Sequence, residues 1–290
     1  MTGIIKPDWL DDFHQRSPLF NPLRSAFQSL EYKASNWPTL EDYQNLINTQ
    51  PSGISNYLDQ PIKFVNQAPS PKKFEDYYES RVYLKGEVQT RLDCWHDFFQ
   101  VLVWKIFPKT KKILNALHYN ASSNRVCNDP NNKQRTAVEN FLTLFDECGI
   151  IIVSCDNKLL QLIQDFKWKD LFWDNRNQFT KTIDCITFGH AMYEKALTPY
   201  IGMTANALLF QVDKAFFTNT LDTKLKILDD MLVAKLENAS TLSTSSLNPF
   251  PILGVPNWYP ENGQLDFYLN ENYFRKRRTK KSVENLKSRY

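Results

Sequence analysis

The chain has 290 residues but only eight glycines, and no two of them lie closer than nine positions apart. This spacing excludes the glycine-rich dinucleotide and phosphate loops, since both need glycines a few residues apart so that backbone amides can wrap a phosphate. The content of 42% hydrophobic and 14% aromatic residues predicts a folded globular chain with a large core.

The net charge of +3 is distributed unevenly along the chain. The last 20 residues contain eight Lys and Arg against two Glu, so the preceding 270 residues carry a net charge of −3. A mildly acidic body argues against nucleic-acid binding as the main function. The basic tail, residues 276–290, is therefore the only part of the chain for which we consider contacts with nucleic acid.

Cysteine usage and hydropathy predict a cytoplasmic protein. The five cysteines are odd in number and form no C-x-x-C pair, which is typical of reduced thiols and argues against a zinc knuckle. The N-terminus shows no apolar segment after a basic start, and no run approaches the roughly 18 apolar residues of a membrane span. We therefore expect no signal peptide, no membrane span and no membrane partner.

The predicted organisation is a single domain with two extensions. Residues 1–73 are rich in Pro and Asn with short amphipathic pieces, such as the segment 39–47, and are expected to wrap the core. Residues 74–275 form the predicted core domain, and residues 276–290 form the basic tail.

A long helix is predicted from Asp93 to Phe107, where Pro108 ends it. Its apolar residues cover most of the surface, while Asp93, His96, Asp97 and Gln100 gather in one narrow polar stripe. A surface helix would be polar across a whole face. The pattern therefore predicts a buried helix that presents polar groups to a pocket, with Trp104 in the pocket wall.

The next segments predict a loop and a small β element. Residues 120–134 are rich in Asn and Ser and indicate a polar loop. The runs 141–147 and 150–154 flank Cys148 and Gly149, and are interpreted as a hairpin near 141–154, because β-branched residues dominate the second run. The alternative is a helix that ends at Gly149, followed by one buried strand.

Three further helices complete a mainly α-helical α+β fold. The patterns predict one that Asp156 caps, one from about Gln178 to Leu197, and one from about Leu221 to Leu236. Residues 249–258 contain too many prolines for regular structure and are expected to form an ordered strap.

Short sequence blocks from about residue 74 to 275 resemble a bacterial family classified as domain of unknown function 3025. Two of them are Trp95-His96-Asp97-Phe98-Phe99 and Phe188-Gly189-His190-Ala191. The others are residues 78–81, 90–91, 102–104, 107–111, 114–115, 142–149, 194–195, 199–200, 251–258, 267–268 and 274–275. Because the family name states no activity, the resemblance implies grouping and not mechanism.

Ionisable residues in these blocks suggest a hydrolase. His96, Asp97, Asp146 and Glu147 are the candidate catalytic residues, since imidazole and carboxylate groups carry out general acid–base chemistry. The alternative is a buried hydrogen-bond network in a non-enzymatic binding or assembly protein. Burying so many ionisable groups costs free energy, and a functional role is one reason why a protein would keep them.

A divalent metal is the cofactor that these residues could hold. His190 and Glu194 are four positions apart on a predicted helix, so both side chains can reach one point. We expect them to be metal ligands, together with His96 or Asp97.

Cationic residues in the blocks suggest an anionic, phosphoester-like substrate. Arg81, Arg91 and Lys195 are the candidate substrate-binding cations, with Trp104 as a wall of the same pocket. The alternative is that the arginines pair with Glu79, Glu87 or the acidic set itself.

Overall fold

The computed structural model describes residues 8–30, 36–49, 53–71, 73–129, 132, 134–238 and 242–277. Its architecture is the mainly helical α+β fold that the sequence predicts. The helices are α1 (Arg24–Gln28), α2 (Leu40–Asn48), α3 (Tyr78–Lys85), α4 (Trp95–Ile106), α5 (Pro108–Asn128), α6 (Ala137–Cys148), α7 (Asn157–Gln164), α8 (Arg176–Thr182), α9 (His190–Ala196), α10 (Leu221–Leu236) and α11 (Leu265–Tyr268). The strands are β1 (Lys63–Asn66), β2 (Glu87–Thr90), β3 (Gly149–Ser154), β4 (Ile183–Thr187), β5 (Thr204–Gln211) and β6 (Asn248–Pro251).

A four-stranded mixed sheet in the order β4-β3-β5-β6 forms one part of the core. Strand β3 is antiparallel to β4 and parallel to β5, and all of its residues are buried. Such a strand has no solvent face, which explains its continuous run of β-branched residues. Strand β6 contains two of the strap prolines at the edge of the sheet, where missing N–H groups are tolerated, so part of the strap is regular structure.

The hairpin expected near 141–154 is wrong, and the alternative of a helix followed by a strand is correct. Residues 141–148 belong to α6, which begins with a capping box between Thr136 and Glu139. Phe141, Leu142 and Phe145 are buried on one face, which is helical spacing. Gly149 then enters β3 with φ −71°, in extended rather than left-handed conformation.

The helix predicted from Gln178 to Leu197 is instead helix α8, strand β4 and helix α9. The middle segment pairs residue by residue with β3, from Ser154↔Ile183 to Ile150↔Thr187. Pairing with a distant strand, together with β-branched residues at Ile183, Ile186 and Thr187, overrides the local helical periodicity.

The polar loop predicted at 120–134 is also wrong over most of its length. Helix α5 continues to Asn128, because α3, α6 and α10 all pack against it and supply the stability that its Asn and Ser residues do not. Helix α10 spans Leu221–Leu236 as predicted, and Asp156 caps α7 by accepting from the N–H of Lys158.

The N-terminal segment packs on the core. Trp9 stacks on Trp95 of α4 with ring centroids 5.0 Å apart, and β1 pairs in parallel with β2. Helix α2 begins with the capping box of Thr39 and Asp42. The domain boundary at residue 74 stays a prediction, and residues 278–290 of the basic tail lie outside the described residues. Within the described ranges, no helix is long and apolar enough to cross a membrane.

Candidate functional site

Three helices bring distant parts of the chain to one point. Helix α4 contributes His96, the C-terminal turn of α6 contributes Glu147, and α9 begins with His190. Helix α9 packs against both α4 and α6. Helix α4 is buried from Asp97 to Trp104, and its polar residues His96, Asp97 and Gln100 line a cleft, whereas Asp93 precedes the helix.

Gly189 allows the close approach of α9 to α6. A Cβ atom at this position would lie 2.5 Å from the backbone nitrogens of Cys148 and Gly149. Backbone atoms cannot move aside as a flexible side chain can, so a larger residue would push the start of α9 away. Glycine therefore positions His190 beside Glu147.

The ligand atoms of His96, Glu147 and His190 all lie within 4.8 Å of one another. The two Nε2 atoms are 3.0 Å apart. Oε2 of Glu147 lies 3.8 Å from Nε2 of His96 and 3.6 Å from Nε2 of His190. Donor atoms bound tetrahedrally to zinc at about 2.0–2.1 Å are roughly 3.3 Å from one another. The three residues, which we call the His–Glu triad, therefore have the spacing of a metal site.

Glu194 orients His96 rather than joining the triad. Oε2 of Glu194 lies 3.0 Å from Nδ1 of His96 and accepts a hydrogen bond from the N–H group there. This bond raises the pKa of His96 above its usual value, although burial opposes it. It also places the lone pair of neutral His96 on Nε2, which faces the triad, as carboxylates do for metal-bound histidines.

His190 is buried and neutral. Burial lowers its pKa to about 3, and the nearby Lys111 adds to the effect, although Asp146 opposes it. Its Nδ1 lies 3.9 Å from Oδ2 of Asp146. A neutral imidazole is the form that binds metals.

Asp146 and Glu147 are adjacent but have different environments. Asp146 accepts hydrogen bonds from Nζ of Lys111 at 2.6 and 2.9 Å. Burial alone would raise the pKa of Asp146, but the ammonium group of Lys111 outweighs it and holds the pKa below its usual value. Burial raises the pKa of Glu147, which has no such cation in contact.

Asp97 is held by Arg91 in the same cleft. Its carboxylate accepts from the backbone N–H of Arg91 at 2.6 Å and from the guanidinium at 2.8 and 3.0 Å. Because the carboxylate of Asp97 is hydrogen-bonded to Arg91, Asp97 lies outside the His–Glu triad. The side chain of Arg91 is half exposed and lines the cleft.

Two adjoining cavities surround this region. The first, here called the His96 cleft, has a volume of about 540 Å³ and contains the three triad residues in its wall. The second, the Trp104 cavity, has a volume of about 610 Å³. The two share wall residues, namely Tyr77, Tyr78, Glu79, Asp146 and Glu147.

The remaining sequence candidates lie in three places. Trp104 is buried and forms part of the wall of the Trp104 cavity. Nζ of Lys111 lies 5.5 Å from the centroid of its ring. Arg81 pairs with Glu87 at 2.5 Å and lines neither cavity. Lys195 is exposed, with Nζ 3.4 Å from Sγ of Cys148, and also lines neither.

A comparison with family models identifies the family of this chain. A family model described as "Protein of unknown function (DUF3025)" matches residues 62–278, well over half of the 290 residues. The chain belongs to this family. Comparisons with the curated proteins and with the solved structures found no match.

Sequence patterns did not single out Lys111, which pairs with Asp146, nor Tyr78 and Asn115, which line the Trp104 cavity. Lys111, Tyr78 and Asn115 lie in the family blocks 107–111, 78–81 and 114–115, so the blocks themselves were the available signal. Their roles depend on burial: Lys111, for example, is 4% exposed, which is rare for lysine.

Proposed function

We propose that this protein is a metal-dependent hydrolase in which His96, Glu147 and His190 bind one divalent cation. The observation that carries the proposal is the spacing of the three ligand atoms. Two histidines and a glutamate are the ligand set of catalytic zinc sites, which leave a further position for water or substrate. Zinc is therefore the expected ion, and Fe(II) is the alternative that this ligand set allows.

The chain supplies positioning and charge around that ion. Bound zinc would act as a Lewis acid and lower the pKa of a water molecule. Glu194 holds His96 in the binding tautomer, and Gly189 sets the distance between His190 and Glu147. Lys111 neutralises Asp146, so that this carboxylate adds little net negative charge next to the substrate.

An anionic, phosphoester-like substrate remains part of the proposal. A dication in the His96 cleft would attract a negative group, and the half-exposed guanidinium of Arg91 has N–H groups beyond the two that bind Asp97. Arg81 and Lys195, which line neither cavity, are not included among the groups that contact substrate.

The metal is tested by elemental analysis and by competition titration of the purified full-length chain with Zn²⁺, Mn²⁺ and Fe²⁺. We expect one equivalent of tightly bound metal, lost in His190→Ala and His96→Ala. His14→Ala is the matched control, since His14 lies in the N-terminal segment outside both cavities. Stoichiometric metal in the triad variants, or none in the natural chain, contradicts the proposal.

Turnover is tested with phosphomonoester, phosphodiester and carboxylester substrates on metal-loaded protein. We expect hydrolysis of at least one phosphoester that disappears in His190→Ala. A binding or assembly protein is the second candidate, and the ion pairs of Asp97 and Asp146 favour it, because both carboxylates hold neighbouring elements together. That candidate is correct if the natural chain binds no metal, shows no turnover and unfolds when Asp97 is replaced by Ala.

A further inference from the structure

Gln100 places a side-chain amide in the most buried part of helix α4. It is 7% exposed, and it is the only polar side chain between Phe98 and Val103. Within the residues that the structure describes, neither Oε1 nor Nε2 of Gln100 forms a hydrogen bond to the protein. Burying an amide without a partner costs free energy, so an apolar side chain would suit this position better if packing were its only role.

The other buried side-chain amides in the described part of the chain belong to Asn56, Asn115 and Asn262, and all three are hydrogen-bonded. In each of them Nδ2 donates to a backbone carbonyl or a carboxylate, at 2.9 Å in Asn56, 2.6 Å in Asn115 and 2.9 Å in Asn262. Buried polar groups in proteins are almost always paired in this way. The exception at Gln100 indicates that its amide pairs with a molecule outside the chain.

The amide of Gln100 opens into the His96 cleft. Gln100 lines this cleft and does not line the Trp104 cavity. Both polar atoms of the amide keep some accessible surface, so a molecule in the cleft can reach them. Residues four positions apart on a helix are neighbours on one face, which places Gln100 beside His96 and therefore next to the His–Glu triad.

The chemistry around Gln100 favours a neutral polar group as its partner. Asp97, three positions earlier on α4, already pairs with the guanidinium of Arg91. The amide is itself uncharged and offers two N–H donors and a carbonyl acceptor. A hydroxyl group complements it in either orientation, because a hydroxyl can donate to Oε1 or accept from Nε2. An anionic group is attracted instead to a cation in the triad and to the remaining N–H groups of Arg91.

We propose that Gln100 binds a hydroxyl group of the substrate in the His96 cleft, and that the substrate is a phosphoester of a hydroxylated alcohol. This inference rests on the proposed function, which puts the phosphate at the His–Glu triad. A substrate without the hydroxyl would leave the amide unpaired in the bound complex. A site that hydrogen-bonds a substrate hydroxyl discriminates against analogues that lack it for this reason. Gln100 is therefore a specificity-determining residue.

Two phosphonates that differ in their hydroxyl groups test this inference. The probes are the dihydroxybutyl phosphonate that is isosteric with glycerol phosphate, and butyl phosphonate, which lacks both hydroxyls. A hydrolase does not cleave their C–P bonds, so calorimetric titration of the zinc-loaded full-length chain measures binding alone. We expect the natural chain to bind the hydroxylated probe about tenfold more tightly, as one added hydrogen bond implies.

The variant Gln100→Met removes the amide with little change in side-chain length. We expect its affinity for the hydroxylated probe to fall about tenfold, to that of butyl phosphonate, whose own binding stays unchanged. Gln28→Met, at an exposed glutamine outside both cavities, is the matched control and should keep the preference.

Stability in urea gives a second readout that a structural role of Gln100 would move in the opposite direction. Because Gln100 has no hydrogen bond to lose within the described chain, metal-free Gln100→Met should be at least as stable as the natural chain. A Gln100→Met chain that is clearly less stable, or that does not fold, would show that the amide supports the fold and would overturn the inference.

Failure of this inference and failure of the proposed function give different results. If the chain binds zinc and both phosphonates with equal affinity, the inference is overturned and the metal-dependent hydrolase stands. The same conclusion follows if Gln100→Met keeps the preference, or if it loses affinity for both probes equally. If the natural chain binds neither zinc nor either phosphonate, the proposed function is rejected and the inference with it.

Discussion

Glu194 accepts a hydrogen bond from Nδ1 of His96 at 3.0 Å, although 98 positions separate the two residues. The carboxylate therefore acts on the nitrogen of His96 that faces away from the His–Glu triad. Carboxylates in this position fix the tautomer of a metal-binding histidine and increase its basicity.

Replacement of Glu194 by Gln is expected to weaken zinc binding by about 10- to 100-fold while the fold persists, since Glu194 is exposed. Competition against a chromophoric chelator measures the affinity. Glu261→Gln, at another exposed glutamate, is the matched control and should bind zinc as the natural chain does. Unchanged affinity in Glu194→Gln would show that the hydrogen bond does not support a metal site.

The contact between Gly189 and the end of α6 gives a stability prediction. In Gly189→Ala the new Cβ meets backbone atoms of Cys148 and Gly149, so we expect a loss of about 1–3 kcal/mol in the free energy of unfolding. Weaker metal binding should accompany it, since α9 carries His190. Urea denaturation measures the first effect. Gly263→Ala is the control, because nothing lies within 4 Å of its Cβ, and its stability should stay within about 1 kcal/mol of the natural value.

The pair of the buried Lys111 and the partly exposed Asp146 gives a third prediction. Lys111→Met leaves the Asp146 carboxylate without its cation, and we expect the free energy of unfolding of metal-free protein to fall by about 3–5 kcal/mol. The double variant with Asp146→Asn should recover much of this loss, because no unpaired charge remains. At the exposed pair of Lys109 and Asp230, Lys109→Met should change stability by less than about 1 kcal/mol. Equal losses of stability in Lys111→Met and Lys109→Met would contradict the burial of Lys111.

The pair of Arg125 and Glu139 predicts a pH dependence of stability. Burial by itself would raise the pKa of Glu139, but Arg125 and the capping bonds to Thr136 hold it below the ordinary value of 4.5. A lowered pKa in the folded state means that the ionised form stabilises the fold. This contribution is complete above about pH 4.5 and is lost as the pH falls through the folded-state pKa.

Glu139→Gln is therefore expected to lower the free energy of unfolding by about 1–3 kcal/mol at pH 7, and by progressively less as the pH falls below 4.5. Urea titrations across pH 3–7 measure the difference. The exposed Glu237→Gln should show no such trend. A Glu139→Gln effect that is constant over this range would mean that the ion pair with Arg125 contributes nothing.

The sequence by itself determined the features that depend on nearby residues. The capping box of Thr39 and Asp42, the bounds of α10 and the polar stripe of α4 all follow from interactions within a few positions of one another. The family blocks also marked the chain segments that form the site. His190 and Glu194 were identified as a pair on one helix, and both lie on α9.

Only the tertiary structure decided which of those residues meet. The segment 183–187 is a strand because β3 lies beside it, and α5 extends to Asn128 because helices such as α3, α6 and α10 pack on it. The triad residues His96, Glu147 and His190 converge because Gly189 lets α9 approach α6. Glu194 is instead hydrogen-bonded to His96, and Asp97 is hydrogen-bonded to Arg91. Periodicity encodes which face of an element is polar, but the partner of that face is set by packing between residues far apart in the chain.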